Sequence, residues 1–443
     1  MAKIVFVGGG SYNWMPSMLG RLFQTPTCRE DRVILMDLDA DALEDLHGLA
    51  LKLKTEQRSP IEIGATTDLA AALDGADYVC LIITVGGMEA MRADVEIPEA
   101  YGIWQTVGDT VGPGGLCRAL RNVPVVVDLA RRMERYCPGA WLLNLTNPLS
   151  TLTRAVTRET RIRAAGLCQG VVEHVEYLTR LLGEEPGRDV QFVTAGIDHC
   201  PWLLRFKVRG RDGRELLRER GLCSADLKET DVAPSADGHL NVKVGTRAGF
   251  ALWRELGVLP GIGDRHLVEF FGTFLTSPEA MERYGIVRTR VDDRIARREN
   301  ARARVREMAA GRRELAVGAT HAPVIQMVDA LEGRGDLLTT LNVENAGQIA
   351  ELPARANVET LCRVDRLGVH PQVVGEPLPR QLEAVIRPHV LRQEGSIDAA
   401  LSGDFEYAVR LLATDPLIRK PGDARAMLEK MVEATKPWLP QFK

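Results

Sequence analysis

Apolar positions in the first third of the chain arrive in short runs: KIVFVGG from Lys3, RVILMDLD from Arg32, IEIGATTD from Ile61, YVCLIITVGG from Tyr78 and AWLLNLTNP from Ala140. Each is bounded by Gly, Asp, Asn or Pro. Such runs suit strands covered on both faces. Between them, SMLGRLFQT, ADALEDLHGLALKLKTE, LAAALDGAD and GLCRALRNVPVVVDLARRMERYC place apolar residues at helical spacing. The alternation predicts an α/β chain built on a doubly wound parallel sheet with right-handed crossovers.

Past residue 150 the rhythm changes. RIRAAGLCQG reads as a last parallel strand, and VVEHVEYLTRLLG as the helix behind it. QFVTAGIDHCPWLLRFKVRGRDG reads as antiparallel strands with a glycine-containing turn. Residues 215–330 are mainly helical in pattern. Strand and loop signals resume from 335, and helices run to the end. No linker or repeat interrupts the chain. The pattern predicts two tightly joined lobes, a nucleotide-binding domain over 1–170 and an α+β domain over 171–443.

Composition narrows the function. The chain has 443 residues, 45% hydrophobic and 26% charged, with a formal net charge of −4. That balance argues against nucleic acid or an anionic membrane surface as partner. The basic residues of 297–314 alternate with acids and read as a solvated helix face. No run approaches a membrane span, and IVFVGGG is too short for a secretory leader. The expectation is a cytoplasmic protein, a homodimer or homotetramer. The eight cysteines, Cys28, Cys80, Cys117, Cys137, Cys168, Cys200, Cys223 and Cys362, then read as reduced thiols.

Gly8 and Gly10, followed by Ser11, sit between a predicted strand and a predicted helix. In that context G-x-G brings backbone amides against a pyrophosphate. Asp37 ends the next strand, where a carboxylate would bind ribose hydroxyls and favour NAD over NADP; Asp39 competes for this role. The third glycine position is Asn13, so the helix should pack differently. The Rossmann-type order continues through TTDLAAALDGADYVCLIITVGG, which includes Thr84. That stretch resembles the third strand region of lactate and malate dehydrogenases, where the chain passes under the cofactor. His199 lies roughly where those enzymes carry a catalytic His, but Cys168 belongs to no such set. Both residues sit at expected strand ends beside glycine. Their spacing alone makes no metal motif, although a thiolate with an imidazole suits a borderline divalent ion.

Several segments in order then resemble glycoside hydrolase family 4, the NAD- and metal-dependent glycosidases: VGGGS at 7–11, VGG at 85–87, TVGPGG at 110–115, NLTNP at 144–148, GLC at 166–168, GIDH at 196–199, GDRHLVEFF at 263–271 and VDRLGVHP at 364–371. The resemblance implies that Cys168 and His199 hold Mn2+ or another divalent metal. It implies that Asn147 binds substrate hydroxyls beside the nicotinamide. The implied reaction removes hydride from carbon 3 of the sugar to NAD, takes a proton from carbon 2, eliminates the glycosidic oxygen, adds water and returns the hydride. Such enzymes are exceptions to two-carboxylate glycoside hydrolysis.

No Tyr lies between Tyr177 and Tyr284, and GIGDRHLVEFF resembles the branch acting on unphosphorylated α-glycosides and α-uronides. Asp264 is the candidate base, with Arg265 and His266 as substrate groups. The competing reading has Asp264 only capping its own helix. Four positions depart from the family pattern. Gln169 follows the metal cysteine and cannot act as an acid. Met91, with Arg92 adjacent, stands where phospho-specific relatives tend to carry Arg. Gly108 and Asp109 replace the usual Gln-Glu. The expectation is a glycosidase of an unphosphorylated α-glycoside or α-uronide, with Gln169 among the substrate-binding residues. The alternatives are an NAD-dependent sugar or 2-hydroxyacid dehydrogenase, a 6-phospho-glycosidase, and a divergent keto-sugar enzyme.

Overall fold

Strands β1 (Lys3–Val7), β2 (Arg32–Met36), β3 (Glu62–Thr66), β4 (Tyr78–Leu81), β5 (Trp141–Asn144) and β6 (Arg163–Gly166) pair in parallel in the order β3-β2-β1-β4-β5-β6. The computed structural model describes residues 1–24, 30–187, 189–221, 246–314 and 323–442; Cys28 and Cys223 lie outside them. The runs of β1, β2, β4 and β5 are largely buried on both faces, whereas β3, at the sheet edge, has no fully buried residue because only one neighbouring strand and less helix cover it. Ile4, Phe6, Val33, Leu35 and Cys80 face one core, shared with helices Met15–Gln24, Ala40–Glu56 and Pro323–Leu331. Val5, Val7, Ile34, Met36 and Leu81 face the other, under helices Gly112–Tyr136, Leu149–Glu159, Arg380–Ser402 and Pro421–Thr435.

The sheet continues past β6 without a break. β7 (Val190–Ile197), β8 (Cys200–Val208), β9 (Arg211–Asp212), β10 (Leu259–Pro260), β11 (Leu337–Glu344), β12 (Asn357–Asp365) and β13 (Gly368–Pro371) extend it to 13 strands. The added strands are antiparallel, in the order β6-β11-β12-β7-β8-β10. Two elements differ from the sequence pattern. The fourth strand stops at Leu81, so the following Ile-Ile-Thr is loop. The long helix begins at Gly112, ahead of the GLCRAL run, with Pro113 in its first turn where the missing N–H costs nothing.

One transverse row of paired residues crosses both halves. Thr66, Met36, Val7, Leu81, Asn144, Gly166, Asn342, Glu359, Gly196 and Pro201 are successive partners in register. The parallel strands β1, β2, β4, β5 and β6 end at this row, and β7 ends one residue beyond it. Their following loops carry Gly8, Asp37, Thr84, Asn147, Cys168 and His199. The register therefore gathers the sequence candidates along one edge. That edge is where α/β sheets place ligands.

A buried ion pair braces this edge from behind. Both guanidinium terminal nitrogens of Arg121, on helix Gly112–Tyr136, donate to Asp94 on helix Gly87–Glu96, at 2.9 and 2.6 Å. The two side chains are 1% and 0% exposed. Removing one partner would strand a buried charge, so Arg121→Met should destabilise the fold by about 3–5 kcal/mol. A melting temperature within a degree or two of the parent would show that the pair is not structural.

Candidate active site

The turn after β1 is shaped by close backbone contact. Gly8 has φ +97°, and a Cβ there would stand 1.9 Å from the carbonyl oxygen of Ile82. Only glycine fits. Gly8 and Gly9 donate to the Met36 carbonyl, each at 2.9 Å. The Gly10 amide donates to Asp37 Oδ2 at 2.8 Å. Asp37 thus holds the turn from the end of β2 while staying half-exposed. Asp39 has a different job: it caps helix Ala40–Glu56 by accepting from Ala42 N–H at 3.0 Å. The Ser11 carbonyl accepts from Met15 at the entry to helix Met15–Gln24. Asn13 is exposed there, and Met15, fully buried, packs against the sheet in place of a close helix–strand approach through glycine.

Arg118 draws the next two loops together. Its Nε donates to the Asn147 carbonyl at 3.0 Å and a terminal nitrogen to Thr84 Oγ1 at 3.4 Å. Asn147 Nδ2 donates to Asp109 Oδ2 at 3.1 Å. The loop bearing Asp109 is fixed by Glu269, whose Oε1 accepts from the amides of Val107 and Gly108 at 2.7 and 2.9 Å. Thr110 Oγ1 lies 2.8 Å from Asp109 Oδ1 and 2.7 Å from His199 Nδ1. The chain Asn147–Asp109–Thr110–His199 therefore runs unbroken from the dinucleotide side to the imidazole.

That chain sets the His199 tautomer. Burial alone would raise the Asp109 carboxyl, but His199, His266, Arg118 and Arg294 hold it below the usual carboxylate range. An ionised Asp109 takes the single Thr110 proton. Thr110 then accepts from Nδ1–H of His199, which leaves Nε2 with a free lone pair, the form a metal ion requires.

Strands β7 and β8 are joined by Asp198 and His199 alone, with His199 at φ +64°. This tight turn puts both side chains at the strand end, while the expected glycine-containing turn falls at Arg209–Gly210, between β8 and β9. Ligand atoms of Cys168, Asp198 and His199 all lie within 4.8 Å of one another. Asp109, His199 and His266 form a second such group, and the His199 and His266 rings lie 3.9 Å apart between centroids. Of the described cysteines Cys168 alone is not fully buried. Burial, with the Asp198 and Glu359 charges beside it, pushes its thiol well above the ordinary range, so a thiolate here calls for a cation. Asp198 and Glu359 are each 0% exposed, and neither carboxylate has a hydrogen-bond partner.

The remaining candidates separate. Asp264 is 1% exposed, and its oxygens accept from Ala248 and Gly249 N–H at 2.8 and 2.7 Å. It caps the neighbouring helix Arg247–Leu256; its own short helix, Asp264–Leu267, is entered from Gly263. It belongs to neither group of three. Arg265 is buried, and burial lowers His266 well below its ordinary pKa. Gln169 is the N-cap residue of helix Gly170–Leu181. Met91 is buried against Val95 and Val291, while Arg92 turns outward to Glu96 and Asp292. Asp198, Glu359, Arg118 and Arg294 were not singled out by the sequence pattern, and Asp109 only as a departure. An acid directly before the strand-end His in GIDH was the available signal.

Residues 3–184 match the family described as family 4 glycosyl hydrolase, and 194–418 match its C-terminal domain. The alpha-galacturonidase of Thermoanaerobacterium saccharolyticum is 31% identical over 99% of this chain and 97% of its own. An alpha-galactosidase of Bacillus subtilis is 31% identical over 100% of both. Among solved structures, the Bacillus subtilis protein lplD superposes with TM-score 0.87 at 31% identity, over 97% of this chain and 99% of that one. A 6-phospho-alpha-glucosidase from gut microorganisms, in complex with NAD and Mn2+, shares the fold with TM-score 0.82 at 22% identity over 100% of both. A Plasmodium falciparum malate dehydrogenase shares it more distantly, with TM-score 0.51 at 14% identity over 93% and 100%.

Burial raises the Asp264 carboxyl from 3.8 to about 7, outweighing its backbone hydrogen bonds. A raised carboxyl favours the protonated form in the folded state, so the stability it lends is full at low pH and is lost as pH climbs to about 7. Asp264→Asn lacks this loss. The melting temperature of the parent relative to the variant should therefore fall between pH 4 and 7; a flat difference would refute the shift.

Proposed function

The chain belongs to glycosyl hydrolase family 4 and is a glycoside hydrolase, and within that family we propose that it cleaves an unphosphorylated α-glycoside using NAD and a divalent ion, manganese foremost. The observation that carries this reading is the bonded chain Asn147–Asp109–Thr110–His199, which couples the dinucleotide side of the site to the Cys168–His199 pair. The residues fit both groups. The Gly8 turn offers the close backbone cradle a pyrophosphate needs, with Asp37 for the ribose. Cys168 and the bare Nε2 of His199 offer a soft and a borderline donor. When bound, the dinucleotide would supply a reversible hydride acceptor and the ion a Lewis acid.

The chain's own residues supply the rest. Asn147 uses one N–H on Asp109 and its carbonyl oxygen on Leu149 N–H, which leaves one N–H and one lone pair for a sugar hydroxyl. Asp264, with a carboxyl near 7, is matched to proton abstraction at neutral pH. Gln169 cannot protonate a leaving group, so that proton comes from solvent. Arg118, Arg265 and Arg294 act on Asp109 together with the acids Asp198 and Glu269. A sugar carboxylate could pair with one of these guanidinium groups, which favours an α-uronide over a neutral α-galactoside, two of the activities named among the relatives. With Met91 buried and Arg92 spent at the surface, the helix Gly87–Glu96 offers no guanidinium for a sugar phosphate.

Nitrophenyl α-galacturonide, α-galactoside and 6-phosphorylated analogues, incubated with NAD, Mn2+ and a thiol reductant, test this. Aglycone should be released without net NADH, fastest from the uronide. NADH accumulating without aglycone would select a dehydrogenase instead. Cys168→Ser should lower aglycone release on the order of 100-fold while NAD still binds. Asp264→Asn should abolish exchange of the carbon 2 proton with deuterated water; retained exchange would move the base role to His266.

A further inference from the structure

Two donors, Cys168 and His199, account for the metal reading so far. The hairpin that presents His199 also presents Asp198, which takes no part in the bonded chain from Asn147 to His199. It is wholly buried, and neither of its oxygens has a hydrogen-bond partner. His199 Nδ1 lies 3.6 Å away and is already bonded to Thr110, and the Cys168 thiol stands beside the carboxyl. A carboxylate so placed has lost water and has only the Cys168 thiol beside it, a costly state unless a cation faces both. An oxygen of Asp198, the Cys168 sulfur and a His199 nitrogen stand within 4.8 Å of one another. That spread spans the ligand-to-ligand distances around one divalent ion bound at about 2.0–2.3 Å. The main chain pins the carboxylate in place, because the Asp198 amide donates to Ser150 Oγ at 3.3 Å on helix Leu149–Glu159.

We propose that Asp198 is a third protein ligand, so that the ion is held by a thiolate, a carboxylate and an imidazole. The inference rests on the metal reading of Cys168 and His199. It has two consequences. Thiolate and carboxylate together neutralise a divalent ion, where a Cys–His pair would leave a net positive charge inside the protein. A hard oxygen donor also moves preference away from ions that favour sulfur and nitrogen alone, and toward manganese. Glu359 is buried nearby but belongs to no group of mutually close donors among the described residues, and stands behind the site.

The test is metal binding, independent of turnover. Metal-free parent, Asp198→Asn, Glu359→Gln and Cys168→Ser are titrated with Mn2+ and free ion is followed by its electron paramagnetic resonance signal. Nicotinamide binding and circular dichroism check that each variant is folded. Asp198→Asn should weaken Mn2+ binding at least about tenfold and change the visible bands of the Co2+-loaded protein, which report donor number. Retention of parent affinity in Asp198→Asn, with affinity lost in Cys168→Ser, would overturn the ligand role and leave the metal pair intact. A greater loss in Glu359→Gln than in Asp198→Asn would transfer the role and equally overturn it. A parent that binds no Mn2+ would overturn the metal reading and this proposal together.

Discussion

A single backbone pairing, Gly166 against Asn342, joins the parallel half of the sheet to the antiparallel half. The approach is tight: a Cβ on Gly166 would meet Asn342 Cβ at 2.9 Å and Thr153 Oγ1 at 2.8 Å. Everything at the site depends on that joint keeping its register. It aligns the end of β7 with the ends of β4, β5 and β6, and so brings His199 to Cys168 and Asn147. A slip of one residue would move the antiparallel strands by about 3.3 Å and turn Asn342 and Glu359 to the opposite, apolar face.

The joint also explains a polar layer within an otherwise apolar protein. Asn144, Asn342 and Glu359 follow one another across the row, and helix Leu149–Glu159 lays Ser150 and Thr153 over them. Ser150 serves both Asn342 Oδ1 and the Asp198 amide. Such a layer contributes less to stability than aliphatic packing would. Its effect is to fix one register and to hold acidic groups beneath the Cys168–His199 pair.

Elements were legible in the sequence because strand and helix periods are local. The helix Ala40–Glu56 coincides with its amphipathic run, and the buried strands with theirs. Residues announced by local context were also found: Gly8 and Asp37 by the strand–turn–strand order, Cys168 and His199 by glycine at strand ends. Residues whose role depends on a partner far along the chain were not. Asp109 gains meaning from Asn147 and His199, and Glu269 from the loop 105–110 it anchors. Asp264 illustrates the same limit. Capping was foreseen, but the helix it caps precedes it in sequence, a pairing that no local pattern encodes.

The unbroken sheet has a dynamic consequence. Enzymes that bind a dinucleotide in one lobe and substrate in another often close like a jaw about a hinge. Here the parallel and antiparallel parts of the sheet share a hydrogen-bonded joint, and helices Arg380–Ser402 and Pro421–Thr435 return to pack on the core of the parallel part. Among the described residues the sheet runs on without a gap between its parallel and antiparallel parts. Closure around a substrate would then fall to the loops along the strand ends rather than to a crease through the sheet.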